Sequence, residues 1–159
     1  MSANLREDLP RLMAVMNAAF EPKWGEAWTR RQVEDSLLTG FCNYFLVSPS
    51  GKPVANGEQA AGFTLSRTIA GETELLLLAV DPQCRRQGLG TVLVEALARD
   101  ALAKGASRLF LEMRRGNPAE HLYRRLGFEP VGERPNYYRT NEGQRIDAVT
   151  FARTLLEKA

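Results

Sequence analysis

The chain has 159 residues, of which 44% are hydrophobic and 25% charged, so it is long enough for one domain that buries a core without disulfide staples. A net charge of +2 supplies no field that would gather nucleic acid or an anionic membrane. MSANLREDLPRL lacks an apolar signal core and no apolar run could span a bilayer, so a single domain over residues 1–159, neither secreted nor membrane-spanning, is expected.

In chain order, Leu9, Leu12, Met13, Met16, Ala19 and Phe20 recur at helical spacing, and EPKWGEAW, with Pro22 and Gly25, breaks into a loop. Thr29 caps a second helix over about residues 30–39 that ends at Gly40. FCNYFLVS at 41–48 reads as a strand, and SPSGKPVANGEQ as a polar connection. AAGFTLSRTIA and TELLLLAV, joined by Gly71-Glu72, read as antiparallel neighbours. The unbroken run Leu75–Leu78 predicts burial on both faces of the second. A helix over about 88–104 stops at Lys104-Gly105, SRLFLEMR follows as a strand, and NPAEHLYRRLG as a further helix. Two strands around Asn141-Glu142-Gly143 complete an α+β, or mixed α/β, order with helices on both faces of a central sheet. Cys42 and Cys84 form no CxxC pattern and histidine occurs once, so no metal site is expected, and the cysteine usage points to a reduced, cytoplasmic compartment.

Arginine pairs occur at 30–31, 85–86, 114–115 and 124–125. Most suit a solvated surface. The pair in QCRRQGLG, residues 83–90, lies between a buried strand and a helix start. A helix start carries unpaired N–H groups and the positive end of the helix dipole. Gly88 and Gly90 clear side chains from an anion's path, and Arg85 and Arg86 can add charge-assisted bonds to phosphate oxygens. The spacing is not GxGxxG, since Leu93 stands where the third glycine would be, and no GK[ST] follows. Judged alone, the stretch fits either a diphosphate cradle or a glycine turn with solvated arginines.

LLLLAVDPQCRRQGLG, LFLEMR and LYRRLGFEPVG, in that order across residues 62–155, resemble the GCN5-related N-acetyltransferase (GNAT) family. The resemblance implies a mostly antiparallel mixed sheet splayed between its fourth and fifth strands, with acetyl-CoA as the acyl donor. By the same resemblance Arg85, Arg86, Gln87, Gly88, Leu89 and Gly90, with Thr91, bind the pyrophosphate, and Leu78, Ala79 and Val80 meet the pantetheine arm. Without it those three residues read as core.

Acetyl transfer to an amine needs a base to free the nitrogen lone pair and an acid for the departing thiolate. Glu112 is the candidate base. Alternation sets it and Phe110 on the face opposite Leu109, Leu111 and Met113, where poor solvation would raise its pKa; pairing with Arg114, or an edge position, is the alternative. Tyr123 matches the family's acid and also fits a core aromatic beside Leu122, Leu126 and Phe128. Asn117 matches a coenzyme-contacting asparagine, one residue closer to Tyr123 than the family spacing. In Asn117-Pro118-Ala119-Glu120 it equally fits a helix cap. His121 reads as a surface position.

The tail RPNYYRTNEGQRIDAVTFARTL resembles the RimI-type ribosomal-protein-alanine N-acetyltransferases. That subgroup implies an acceptor that is a peptide or protein N-terminus, that of a ribosomal protein among the candidates, with Tyr137 and Tyr138 lining its groove. Trp24 and Trp28 stand as candidates for the opposite wall, or as a hydrophobic plug. The first half of the chain departs from the subgroup, so a small-molecule amine stays open as acceptor, as do a non-catalytic coenzyme A-binding module and a monomer or homodimer.

Overall fold

The computed structural model of the chain describes residues 3–155. Helix α1 (Ala3–Ala19) and helix α2 (Arg30–Leu38) precede strands β1 (Cys42–Val47), β2 (Gly62–Ile69) and β3 (Glu72–Val80). Helix α3 (Leu89–Ala103), strand β4 (Arg108–Arg114), helix α4 (Glu120–Arg125) and strands β5 (Glu129–Arg139) and β6 (Arg145–Thr154) follow. The six strands form one sheet in the order β1-β2-β3-β4-β6-β5, antiparallel except where β3 meets β4.

Local signals account for most boundaries. Thr29 Oγ1 accepts from the Gln32 N–H at 3.2 Å, while Gln32 Oε1 accepts from the Thr29 N–H at 2.7 Å, a capping box that starts α2 where the sequence predicts. Helix α1 begins well before Leu9. Only Leu5 among residues 3–8 is a large apolar residue, so no stripe announces those turns, and Pro10 is carried inside the helix. The β2–β3 hairpin turns on Ala70 and Gly71, both left-handed at φ 51 and 80, so Glu72 opens β3 rather than closing the turn.

One face of the sheet packs on α1 and α2, through Leu9, Leu12, Val15, Met16 and Val33 against Phe63, Leu65 and Leu77. The other packs on α3 and α4, through Val94, Leu97, Ala101 and Tyr123 against Leu109, Leu111, Phe128 and Phe151. The apolar run of β3 serves both cores because its alternation is interrupted. Leu65 pairs with Leu77 and Ser66 with Leu75, which leaves Leu76 as an extra, bulged residue. Leu75 therefore joins the α3 side and Leu77 the α1 side, while Leu76 and Leu78 stay only half-buried.

That bulge also positions the site. β3 pairs with β4 only from Glu72–Arg108 to Glu74–Phe110. Beyond it a bulge bends the strand, and the two strands part. The gap implied for the family's fourth and fifth strands thus lies between β3 and β4 here, because β1 at Cys42–Val47 is the first strand among the described residues.

Candidate active site

The open edge of β3 and the start of α3 form one wall of a cleft of about 770 Å³. From Leu75 to Val80 the strand is paired on its β2 side alone, so its outward N–H and C=O groups face the gap unmatched by β4. After Val80 the Asp81 carboxylate accepts from the Gln83 N–H at 2.9 Å and holds a short 3₁₀ turn. Arg86 then takes φ 64 and Gly88 φ 77. A left-handed conformation at a non-glycine residue costs of order 1–3 kcal/mol and is kept where the surroundings over-determine it. Here it turns the chain so that α3 begins at Leu89 with its first amides toward the cleft.

The two glycines have different reasons. A Cβ at Gly88 would meet nothing within 4 Å, so its left-handed φ, not crowding, calls for glycine, and the space above it is clear for an anion. A Cβ at Gly90 would lie 2.8 Å from Leu122 Cδ2, so that glycine also lets α3 and α4 approach. Arg85 Nη2 donates to the Ala19 carbonyl at 3.2 Å and ties the turn to the end of α1. Arg86 makes no bond within the described residues. Both arginines line the cleft with Gly88, Gly90 and Thr91. Gln87 lies outside the lining, and the Leu89 side chain is buried against Val47, Ala61 and Leu93, so only its main chain is placed for an anion. Open donors at the helix start, one unengaged arginine and clear space over Gly88 together fit a diphosphate.

The opposite wall comes from β4 and α4. Glu112 lines the cleft with a side chain 18% exposed, and the apolar strand leaves it less bare than its composition suggests. Arg134 Nε lies 3.0 Å from Oε1, and Thr150 Oγ1 donates to the same oxygen at 3.3 Å. Arg114, the partner that same-face alternation suggests, goes elsewhere: its guanidinium lies 3.7 Å above the Trp24 ring, with Nε 3.5 Å from Glu26. Tyr123 belongs to the core cluster yet also lines the cleft, its ring edge-on to Phe128 at 5.6 Å. Burial, and then the charge of Glu26, push its phenol well above the ordinary tyrosine range, so its hydroxyl stays protonated. That hydroxyl has no hydrogen-bond partner among the described residues.

Asn117 lines the cleft but does not cap α4: the helix starts at Glu120 with Ala119 at the cap position, and Asn117 Oδ1 accepts from the Ala119 N–H at 3.0 Å in the turn before it. His121 is exposed at the rim. The two tryptophans divide: Trp24 lines the cleft, whereas Trp28 packs against the α1–α2 core as a plug. Tyr137 is exposed and stacked edge-on with Tyr138 at 5.3 Å, with Arg134 5.1 Å from its ring. Tyr138 is half-buried and pushed up to about 12 by burial, then by Glu112 and Glu26, so it lies near both carboxylates. Glu26 and Arg134 escape the sequence reading. Glu26 carries a signal, a lone carboxylate between two tryptophans, while Arg134 carries none until β5 and β6 are paired.

Residues 9–128 match the Acetyltransferase (GNAT) family. The chain is 42% identical over 98 residues to the [ribosomal protein bS18]-alanine N-acetyltransferase of Escherichia coli strain K12, a match covering 61% of this chain and 65%, just under two thirds, of that protein. The counterpart from Haemophilus influenzae is 36% identical over 94 residues, covering 59% and 64%. The crystal structure of the ribosomal-protein-S18-alanine N-acetyltransferase from Escherichia coli superposes with a TM-score of 0.78 at 29% identity, over 100% of this chain and 93% of that one. An aminoglycoside 6′-N-acetyltransferase complexed with coenzyme A shares the fold at a TM-score of 0.76 and 16% identity, over 100% and 97%. With the family match over most of its length and the parted strands in place, the chain belongs to the GNAT acetyltransferase family.

Proposed function

We propose that this protein transfers an acetyl group from acetyl-CoA to a primary amine, and that the acceptor is the N-terminal α-amine of a peptide or protein. The observation that carries the reading is the parting of β3 and β4 after Glu74–Phe110, which places an open strand edge, unpaired helix-start amides, Glu112 and Tyr123 around one cleft. The acceptor class is supported by the relatives, which are named for a ribosomal-protein alanine.

Acetyl-CoA supplies an acyl group activated as a thioester. The first amides of α3 and the Arg86 guanidinium hold the diphosphate, and the free edge of β3 at Leu78–Val80 aligns the pantetheine arm. Glu112 accepts a proton from the acceptor's ammonium, which frees the nitrogen lone pair for attack on the carbonyl carbon. Arg134 and Thr150 hold that carboxylate by Oε1 and leave Oε2 for the proton. Tyr123 keeps its proton because it is buried, and gives it to sulfur as the carbon–sulfur bond breaks. One C–N bond forms and one C–S bond breaks; nitrogen gives up two protons, the first to Glu112 before attack and the second as the adduct collapses, which replaces the proton that Tyr123 gives to sulfur. Two free cysteines, Cys42 and Cys84, fit a reducing cytoplasmic setting.

Incubation with acetyl-CoA and a panel of alanine-initiated peptides, lysine peptides and small amines, read by mass spectrometry, tests the reading. A gain of one acetyl group at a peptide N-terminus is expected. Transfer only to small amines would replace the acceptor, and transfer to none would remove the activity.

A further inference from the structure

The loop between α1 and α2 brings into the cleft two carboxylates that the mechanism above does not use, the exposed Glu21 and the more buried Glu26. Glu26 lines the same cleft as Glu112 and Tyr123, with a side chain 21% exposed. Burial pushes its carboxyl above the usual carboxylate range; Arg114 opposes this and Glu21 adds to it. Both phenols near the cleft, Tyr123 and Tyr138, feel its charge, and Tyr138 feels that of Glu112 as well, so the two carboxylates share one neighbourhood.

Glu26 is incompletely satisfied. Arg114 Nε stands 3.5 Å from Oε1, beyond the roughly 2.7–3.2 Å of an N–H···O bond, and makes no hydrogen bond. The face of Trp24, at 3.7 Å, holds that guanidinium instead. Arg114 therefore holds Glu26 through one long contact at Oε1 and offsets part of its charge, which leaves the carboxylate able to accept from a further donor. Among the described residues the hydrogen bond and the ion pair of Glu112 likewise fall on Oε1. Neither Oε2 has a hydrogen-bond partner among the described residues, and the two carboxylates line one cleft. An ionised carboxylate only accepts hydrogen bonds, and an alkylammonium brings three donors.

We propose that Glu26 is the docking carboxylate of the acceptor, binding the incoming amino group as an ammonium beside Glu112 before Glu112 takes the proton. The inference rests on the acetyl-transfer reading and assigns the cationic form of the amine as what the cleft selects. Arg114, two residues from Glu112 on the same strand face, competes with the substrate cation for Glu26.

Steady-state kinetics with an alanine-initiated hexapeptide and with 1,4-diaminobutane test it. Glu26→Gln is expected to raise the acceptor's KM by about tenfold, as for loss of one charge-assisted hydrogen bond, with the KM of acetyl-CoA unchanged as the check on folding. Glu26→Asp, which keeps the charge, should recover part of the loss, and serves if the glutamine variant does not fold. Arg114→Met should lower the acceptor's KM, whereas a pair that merely braces the loop predicts that both substitutions raise it. An acceptor KM within about twofold of wild type in Glu26→Gln, or a rise in both variants, overturns the proposal. Transfer to the diamine but not to the peptide overturns the peptide acceptor while the Glu26 comparison proceeds on the diamine; transfer to neither overturns both.

Discussion

Glu112 and Tyr123 reach the cleft from different elements, and the proposed mechanism gives them opposite tasks. If Glu112 is the base, as proposed, Glu112→Gln should lower turnover by about 10²–10⁴-fold with acetyl-CoA affinity retained, as steady-state rates and calorimetric titration would show. Tyr123→Phe should slow transfer by a similar factor while acceptor binding holds. The sign of its pH dependence is set by burial. A phenol pushed up in the fold keeps its full stabilising contribution below the unfolded value of about 10, and loses it as pH rises through the higher folded value. Alkaline denaturation followed by circular dichroism should therefore begin above about pH 10 and be shallower in Tyr123→Phe. The residue types of both groups are legible in LFLEMR and LYRRLG, but their partners are not. Glu112 faces Thr150, and Thr150 faces Gly132, two residues before Arg134; three strands must pair in register before that guanidinium finds the carboxylate.

The start of helix α3 combines the proposed diphosphate site with a close helix–helix contact. Gly88 is held at φ 77, where a β-branched residue is strongly disfavoured, and the space above it is open. Gly88→Val should abolish acetyl-CoA binding in calorimetry through backbone strain and a blocked approach, while the protein remains folded by circular dichroism. Gly90→Ala acts by packing. Its new Cβ would press on Leu122, and thermal denaturation should show a loss of about 1–3 kcal/mol, the cost of overpacking a close helix–helix contact, unless the leucine turns aside. Equal stability in that variant would show that Leu122 yields. The proposed diphosphate site is legible in QCRRQGLG, and the helix–helix contact is not, because Leu122 lies on α4 and only the tertiary packing brings it under Gly90. Arg85 follows the same pattern: in sequence it is one of two phosphate arginines, and in the fold its guanidinium caps the end of α1.

Across the whole molecule the decisive feature is a sheet that is continuous at one end and open at the other. β3 and β4 pair for three residues and then part, so the open edge of β3 lacks a partner strand. Amide hydrogen exchange should find the outward amides of Leu76–Val80 less protected than those bonded to β2, and acetyl-CoA should slow their exchange. Unchanged protection on adding the cofactor would contradict the placement of the pantetheine arm. Much of this architecture was present in local signals. The capping box at Thr29, the stop at Gly105, the hairpin glycines and the turn after Val80 depend on hydrogen bonds and steric limits within a few residues, and these the chain specifies without help from the fold. The run Leu75–Leu78 announced burial on both faces but concealed the bulge at Leu76, because a bulge is defined by the strand opposite. What the tertiary structure alone decided is which charges meet: Arg134 with Glu112, Arg114 with Glu26 over Trp24, and both carboxylates in one cleft. Coulomb attraction and burial act through space rather than along the chain, so these pairings exist only once the strands are in register and the α1–α2 loop is laid against β4.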